Sequence, residues 1–276
     1  MLINRNEKSD KMILHDQHLH SKYSHDSNEE LINYIEIANR MGCKYFVTTE
    51  HFDLDLVINH EDWIVDYQAL KNELQIHQKN YPNICFLLGI EVGYRKDKLL
   101  EITKQLNSED FDVINLSIHD SKEEDFYWYK YFLSVGEKEL LNKYFDIMIE
   151  ATSNFDKYNV LSHIDYGFKT VYLVNNKIKI SDFEEKIKKV FMNLIKHHKA
   201  LEINTKVQEA IHDMNHIKYL LSLYRQMGGE KLTLSSDAHS KERYLSNFDY
   251  YKKIIKECGF HYLVYFVKQK EYHYSI

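Results

Sequence analysis

The sequence predicts an α/β fold closed into a barrel, on three observations. Short apolar, β-branched runs alternate with stretches whose apolar residues recur at helical spacing. Seven or eight such units follow one another, which favours a closed ring over an open sheet. Nearly every run ends in His, Asp or Glu. Strands that alternate with helices form βαβ units and a parallel sheet, and in a parallel barrel the C-terminal strand ends share one mouth.

The elements follow in order. A first strand is expected over 12–20, ending in His18-Leu19-His20. Leu31, Ile32, Ile35, Ala38 and Met41 form one helix face, and Gly42 is its stop signal. Strands over 44–51, 84–91 and 112–119 end in Glu50-His51, Glu91 and His119. The aromatic stretch 125–132 follows the fourth strand, where a lid over the mouth would sit. A strand over 159–165 carries His163 and Asp165. Ile187, Val190, Phe191 and Leu194 form a second helix face. A strand over 200–205 ends in Asn204 and Thr205, which would hydrogen-bond a substrate or cap a helix. Ile217, Leu220, Leu221 and Tyr224 form a third helix face, ended by Gly228-Gly229. The strand over 231–239 ends in Asp237-Ala238-His239, and a last strand is expected over 260–267, followed by a solvated tail, 268–276.

Bulk properties narrow the class. With 276 residues, 44% of them hydrophobic, and no repeat or Pro/Gly/Ser-rich linker, the whole of 1–276 reads as a single domain. The net charge of −6 is a poor match to general nucleic-acid binding. Cys43, Cys85 and Cys258 cannot all pair internally and contain no CxxC, which suggests a reducing, cytoplasmic setting. The first residues lack the apolar core of a secretory signal, and no run approaches the roughly 20 apolar residues that span a bilayer.

Sixteen histidines remain to be explained. Residues i and i+2 of a strand face one side, so the imidazoles of His18 and His20 would reach one cation together. A mixed His and carboxylate set suits Zn, Fe or Mn, and matches catalytic better than structural metal sites.

These motifs together resemble the polymerase and histidinol phosphatase (PHP) superfamily. The resemblance rests on Asp16-Gln17-His18-Leu19-His20, Thr49-Glu50-His51, Gly89-Ile90-Glu91, Ser117-Ile118-His119, His163-Ile164-Asp165 and Ser236-Asp237-Ala238-His239, in that order. Within it, the stretches 20–30, 201–205 and 228–240 are most similar to the histidinol-phosphatases. The resemblance implies a distorted seven-stranded (β/α) barrel with up to three divalent metals. By position the ligands would be His18, His20, Asp26, His51, Glu91, His119, His163, Asp237 and His239, with His25 the alternative to Asp26. Glu91 would bridge two metals, and Asp237 or His239 would pass a proton to the leaving alkoxide.

The chemistry implied is hydrolysis of L-histidinol phosphate by a hydroxide that the metals generate near neutral pH. The alternatives are another small phosphate ester or a binding protein without turnover. Asp16 and Asp165 would orient ligands from behind. Histidinol-phosphatases tend to carry Arg after the fifth strand, but this chain has Tyr166-Gly167-Phe168-Lys169. Lys169 would take over the phosphate contact, with Lys122 a second candidate, although Lys lacks the two-pronged grip of Arg.

Overall fold

The computed structural model describes residues 15–128, 134–175 and 177–276. Six parallel strands stand in the order of the sequence: β1 (Tyr45–Phe52), β2 (Cys85–Gly93), β3 (Val113–Ser117), β4 (Val160–Leu161), β5 (Ala200–Asn204) and β6 (Leu232–Ser235). They curl into a distorted barrel. Between and around them lie α1 (Leu31–Met41), α2 (Tyr67–Asn80), α3 (Leu99–Leu106), α4 (Glu137–Asn154), α5 (Phe168–Val174), α6 (Glu184–Lys196), α7 (Thr205–Ile211), α8 (Met214–Gln226) and α9 (Phe248–Glu257).

The helices obey the spacing of the sequence. Leu31, Ile35 and Ala38 bury one face of α1, and Gly42 ends it at φ 71°, a conformation that costs glycine little. The apolar stripes of α6 and α8 are buried throughout.

The first expected strand is not a ladder strand among the described residues. Leu19 makes a single parallel bridge to Ala238. The segment nevertheless closes the ring. His20 N donates to Ala238 O (2.8 Å), Asp237 N to His18 O (2.8 Å) and Thr49 N to Leu19 O (3.0 Å). Side chains take the remaining backbone groups: His18 N donates to Asp16 Oδ1, and Leu19 N to Thr49 Oγ1. With its polar groups satisfied this way, the segment needs no longer ladder.

The expected solvated tail is also corrected. Residues Lys270–Ser275 form β8, antiparallel to β7 (Tyr262–Val267), and Tyr274 is buried. Val264 and Phe266 of β7 pack with Val47, Leu87, Val113, Val160 and Ala200, one residue from each of β1 to β5. The hairpin therefore floors the barrel at the N-terminal ends of its strands. Side chains alternate along a strand, so the same inward faces continue through Thr49, Gly89 and Glu202 to His51, Glu91 and Asn204 at the opposite end.

Candidate metal centre

The buried carboxylate of Glu91 lies near the end of β2, and strand register sets His51 of β1 beside it. His119, His163 and Asp237 come two residues after β3, β4 and β6, and the ring-closing segment brings His18 and His20. Glu91 Oε2 is 3.1 Å from His18 Nε2, 3.2 Å from His20 Nε2 and 3.1 Å from His51 Nδ1. Its Oε1 is 3.3 Å from His119 Nε2 and 2.8 Å from His163 Nε2. Asp237 Oδ1 is 3.5 Å from His20 Nε2 and 3.4 Å from His239 Nδ1. Asp26 Oδ2 is 2.8 Å from His239 Nε2 and 3.5 Å from His51 Nε2. The structure thus brings all nine expected residues together. His25 instead stacks on Trp63, with ring centroids 5.6 Å apart.

The outward nitrogens of two rings explain what the inward ones offer. His18 Nδ1 lies 2.7 Å from Glu202 Oε1, and His119 Nδ1 lies 2.8 Å from Asp53 Oδ1. A carboxylate takes the proton-bearing nitrogen of a neutral imidazole, which leaves Nε2 with a lone pair. Those lone pairs face Glu91. His18 Nε2, His20 Nε2, His51 Nδ1 and Glu91 Oε2 are buried without hydrogen-bond partners. Acceptors that face acceptors away from water are costly unless a cation lies between them. Four overlapping groups have ligand atoms close enough to share an ion: His20-Asp26-His51-His239, His18-His163-Asp237, His18-His20-Glu91 and His51-Glu91-His119.

Electrostatics point the same way. Burial alone would lower the pKa of His119, but Asp53 and Glu91 outweigh it and raise the ring to about 10. Burial would raise Glu91, yet the imidazoles of His18, His51 and His119 hold it well below the carboxylate range. The mouth demands positive charge, whether protons or metal ions supply it.

The backbone is strained at two of these residues. His163 and Asp237 have φ of 22° and 49°, values L-residues rarely adopt. Hydrogen bonds hold them there: His163 N donates to Glu202 Oε2 (2.8 Å), Tyr144 Oη donates to His163 O, and Asp237 N donates to His18 O (2.8 Å). At Gly93, any Cβ would overlap the Asp53 carboxylate, so glycine lets Asp53 reach His51 and His119.

A cavity of about 300 Å³ opens above the cluster, walled by Trp63, Tyr127, Trp128, Tyr166, Lys169 and Lys206. Lys169 Nζ lies 4.7 and 4.8 Å from the Tyr127 and Tyr166 ring centroids. Lys206 Nζ is 3.3 Å from Asp237 Oδ1 and 2.9 Å from His239 Nδ1. Of the expected lid, Tyr127 and Trp128 line this cavity, while 129–132 fall outside the described residues.

Several sequence expectations need correction. Lys122 is exposed and borders a separate depression with Tyr94, Arg95 and Glu150, so it does not face the cluster. Asn204 caps α7 through Val207 N and donates to Glu202 and Asp237, each at 3.2 Å, rather than lining the cavity. Thr205 is fully buried at the start of α7. Asp165 turns from His163 to His216 (2.9 Å) and Gln208 (2.5 Å). His216, given no role from sequence, is buried in that pairing. Asp16 binds no ring: it accepts the N–H of His18 and the N–H and hydroxyl of Ser236. Glu202, Asp53 and Lys206 went unnoticed, although strand periodicity marks the first: Glu202 lies two residues from Ala200 and from Asn204 on the inward face.

The PHP domain family matches residues 16–206. The chain is similar to the histidinol-phosphatase of Lactococcus lactis subsp. lactis, with 26% identity across 92% of this chain and 95% of that one. It is also similar to a protein named probable histidinol-phosphatase from Clostridium acetobutylicum, with 25% identity across 88% and 93%. Among solved structures, the L. lactis histidinol phosphate phosphatase complexed with zinc, L-histidinol and phosphate superposes with a TM-score of 0.84. That match has 25% identity and covers 95% of this chain and 99% of that one.

Proposed function

The chain belongs to the PHP domain family, and from that premise we propose that it is a metal-dependent phosphomonoesterase that hydrolyses L-histidinol phosphate to L-histidinol and phosphate. The observation that carries the proposal is the ring of five imidazoles around Glu91, with unpaired acceptors turned toward one another. The similar L. lactis structure holds zinc with the alcohol and phosphate together.

In this reading the nine clustered residues would hold up to three divalent ions, Zn, Mn or Fe. Bound there, such ions lower the pKa of water to about 7 and offset the charge of the phosphate dianion. The protein's own groups do the rest. Lys169 and Lys206, at the cavity wall, hold phosphate oxygens. Asp237 and His239 lie within reach of Lys206 and of one another, where a proton can be passed to the leaving oxygen. Trp63, Tyr127 and Trp128 wall the space left for the alcohol and keep water from it. Another small phosphate ester is the second reading, favoured by lysine standing where arginine is expected.

The test is phosphate release from a panel of monoesters that includes histidinol phosphate, with Zn, Mn or chelator. Histidinol phosphate should be the preferred substrate, and chelation should abolish turnover. Failure on every monoester would sink the proposal, and preference for another ester would move it to the second reading. His119→Ala should lower kcat on the order of 10²-fold while the protein stays folded. An unchanged rate would remove His119 from the site.

A further inference from the structure

Four imidazoles of the cluster, those of His18, His20, His119 and His163, face Glu91 through Nε2. Two of them, His18 and His119, have a carboxylate directly behind Nδ1, and His20 has none. Behind its Nδ1, at 3.1 Å, is the hydroxyl of Ser24, and behind Ser24 is Glu50. We propose that Ser24 and Glu50 form a relay that fixes the proton of His20 on Nδ1, so that its Nε2 lone pair is permanently aimed at the metal position beside Glu91. The proposal rests on the reading of this cluster as a metal site and names two positioning residues for it.

Counting donors and acceptors leaves one arrangement. Ser24 Oγ has one proton and two lone pairs. The backbone N–H of His51 can only donate, and it takes one lone pair at 3.1 Å. Ser24 Oγ is 2.6 Å from Glu50 Oε2, to which it gives its proton. The lone pair that remains can bond His20 only if Nδ1 carries hydrogen. The direction is set from the Glu50 end as well. Oε2 also accepts the N–H of Ser21 (3.0 Å), a group that cannot reverse. Oε1 accepts the hydroxyls of Ser21 (2.5 Å) and Thr48. Glu50 is fully buried and Ser24 nearly so, so water does not compete for either. His20 Nε2 itself is buried with no hydrogen-bond partner, 3.2 Å from Glu91 Oε2.

The consequence is chemical rather than merely architectural. A free imidazole carries its proton on either nitrogen, and the Nε2–H form cannot bind a cation at Nε2. A ring with its proton locked on Nδ1 is always ready. Outer partners of metal-binding histidines are typically worth 10- to 100-fold in metal affinity.

Two variants test this. Ser24→Ala removes the relay and keeps the backbone. Glu50→Gln keeps it: the unchanging N–H of Ser21 holds the amide oxygen at the Oε2 position, and the NH₂ meets only hydroxyls, which can turn round. The first measurement is 15N NMR of the histidine rings in metal-free protein. Wild type and Glu50→Gln should show His20 with a protonated Nδ1 and a bare Nε2, whereas Ser24→Ala should show averaged shifts. The second is zinc titration, in which Ser24→Ala should lose about 10- to 100-fold in affinity for one ion, with thermal stability close to wild type, and Glu50→Gln should stay within about threefold. An unaltered His20 spectrum in Ser24→Ala, or equal zinc affinity in all three proteins, would overturn the relay. Neither readout uses phosphate release. If the wild type bound no zinc, the metal reading would fail while the ring spectrum still decided the tautomer.

Discussion

At its floor the barrel interior presents Val47, Leu87, Val113, Val160 and Ala200, sealed by Val264 and Phe266. Two to four residues further along the same strands it presents His51, Glu91, Glu202 and Asn204. Both ends are buried, and alternation along the strand supplies both. The floor gains free energy from burial, about 1.5–3 kcal/mol for each large apolar side chain. The mouth gathers carboxylates and imidazoles, and inward atoms of His18, His20, His51 and Glu91 lack partners, an arrangement that costs stability until positive charge arrives. One end holds the barrel shut, and that stability lets the other end hold unfavourable chemistry in place.

The sharpest way to break this contrast is Glu91→Gln. Turnover should fall on the order of 10³-fold, because the shared carboxylate is lost. In chelator, where protons on the imidazoles supply the positive charge that Glu91 pairs with, the variant should also melt below wild type at neutral pH. An unchanged melting temperature of the metal-free variant would show that Glu91 is not paired with protonated imidazoles there.

Gly93→Ala acts one layer out. Its methyl would displace Asp53 from His119 and His51, so metal affinity should fall about 10- to 100-fold in a titration. Normal affinity would mean that Asp53 does not orient these rings.

A smaller effect follows from Lys169. Burial, together with the nearby Lys206, lowers its pKa to about 8, so the ammonium is charged below that pH and lost above it. KM for the phosphate ester should therefore rise severalfold as pH passes about 8. In Lys169→Arg that rise should disappear, because guanidinium does not titrate there. An identical pH profile in the variant would assign the change to another group.

The floor should leave catalysis least affected. Phe266→Ala should cost about 3–5 kcal/mol in unfolding free energy, with kcat within roughly twofold of wild type at a temperature where both are folded. A loss of kcat comparable to that of His119→Ala would mean the two ends are coupled.

Much of the mouth was legible in the sequence because strand ends and motif spacing are local signals. His18, His51, Glu91, His119 and Asp237 each end or closely follow an apolar run, and the ring closes as the barrel reading requires. What was illegible depends on pairing across the ring. Asp53 and Glu202 are acidic residues like many others until the fold sets them behind His119 and His18. Asp165 stands two residues from His163, yet the strained turn at His163 sends it to His216 instead. Lys122 seemed close to His119 in sequence, but its side chain lies on another surface. The second strand of the hairpin, β8, was missed because Lys270, Glu271, Tyr272 and His273 are not buried, leaving Tyr274 as the only buried residue of that strand.

That hairpin sets the timing of assembly. Gln17 binds Phe266 through both ends of its amide, 249 residues away in sequence, and Leu19 meets Ala238. The ring cannot close, nor its floor be laid, until the stretch after the sixth strand has been synthesised. During translation the earlier strands must wait with open edges, which predisposes a nascent chain to slow folding and to unwanted pairing. Release of residues 262–275 is therefore the step at which the barrel interior becomes an enclosed space.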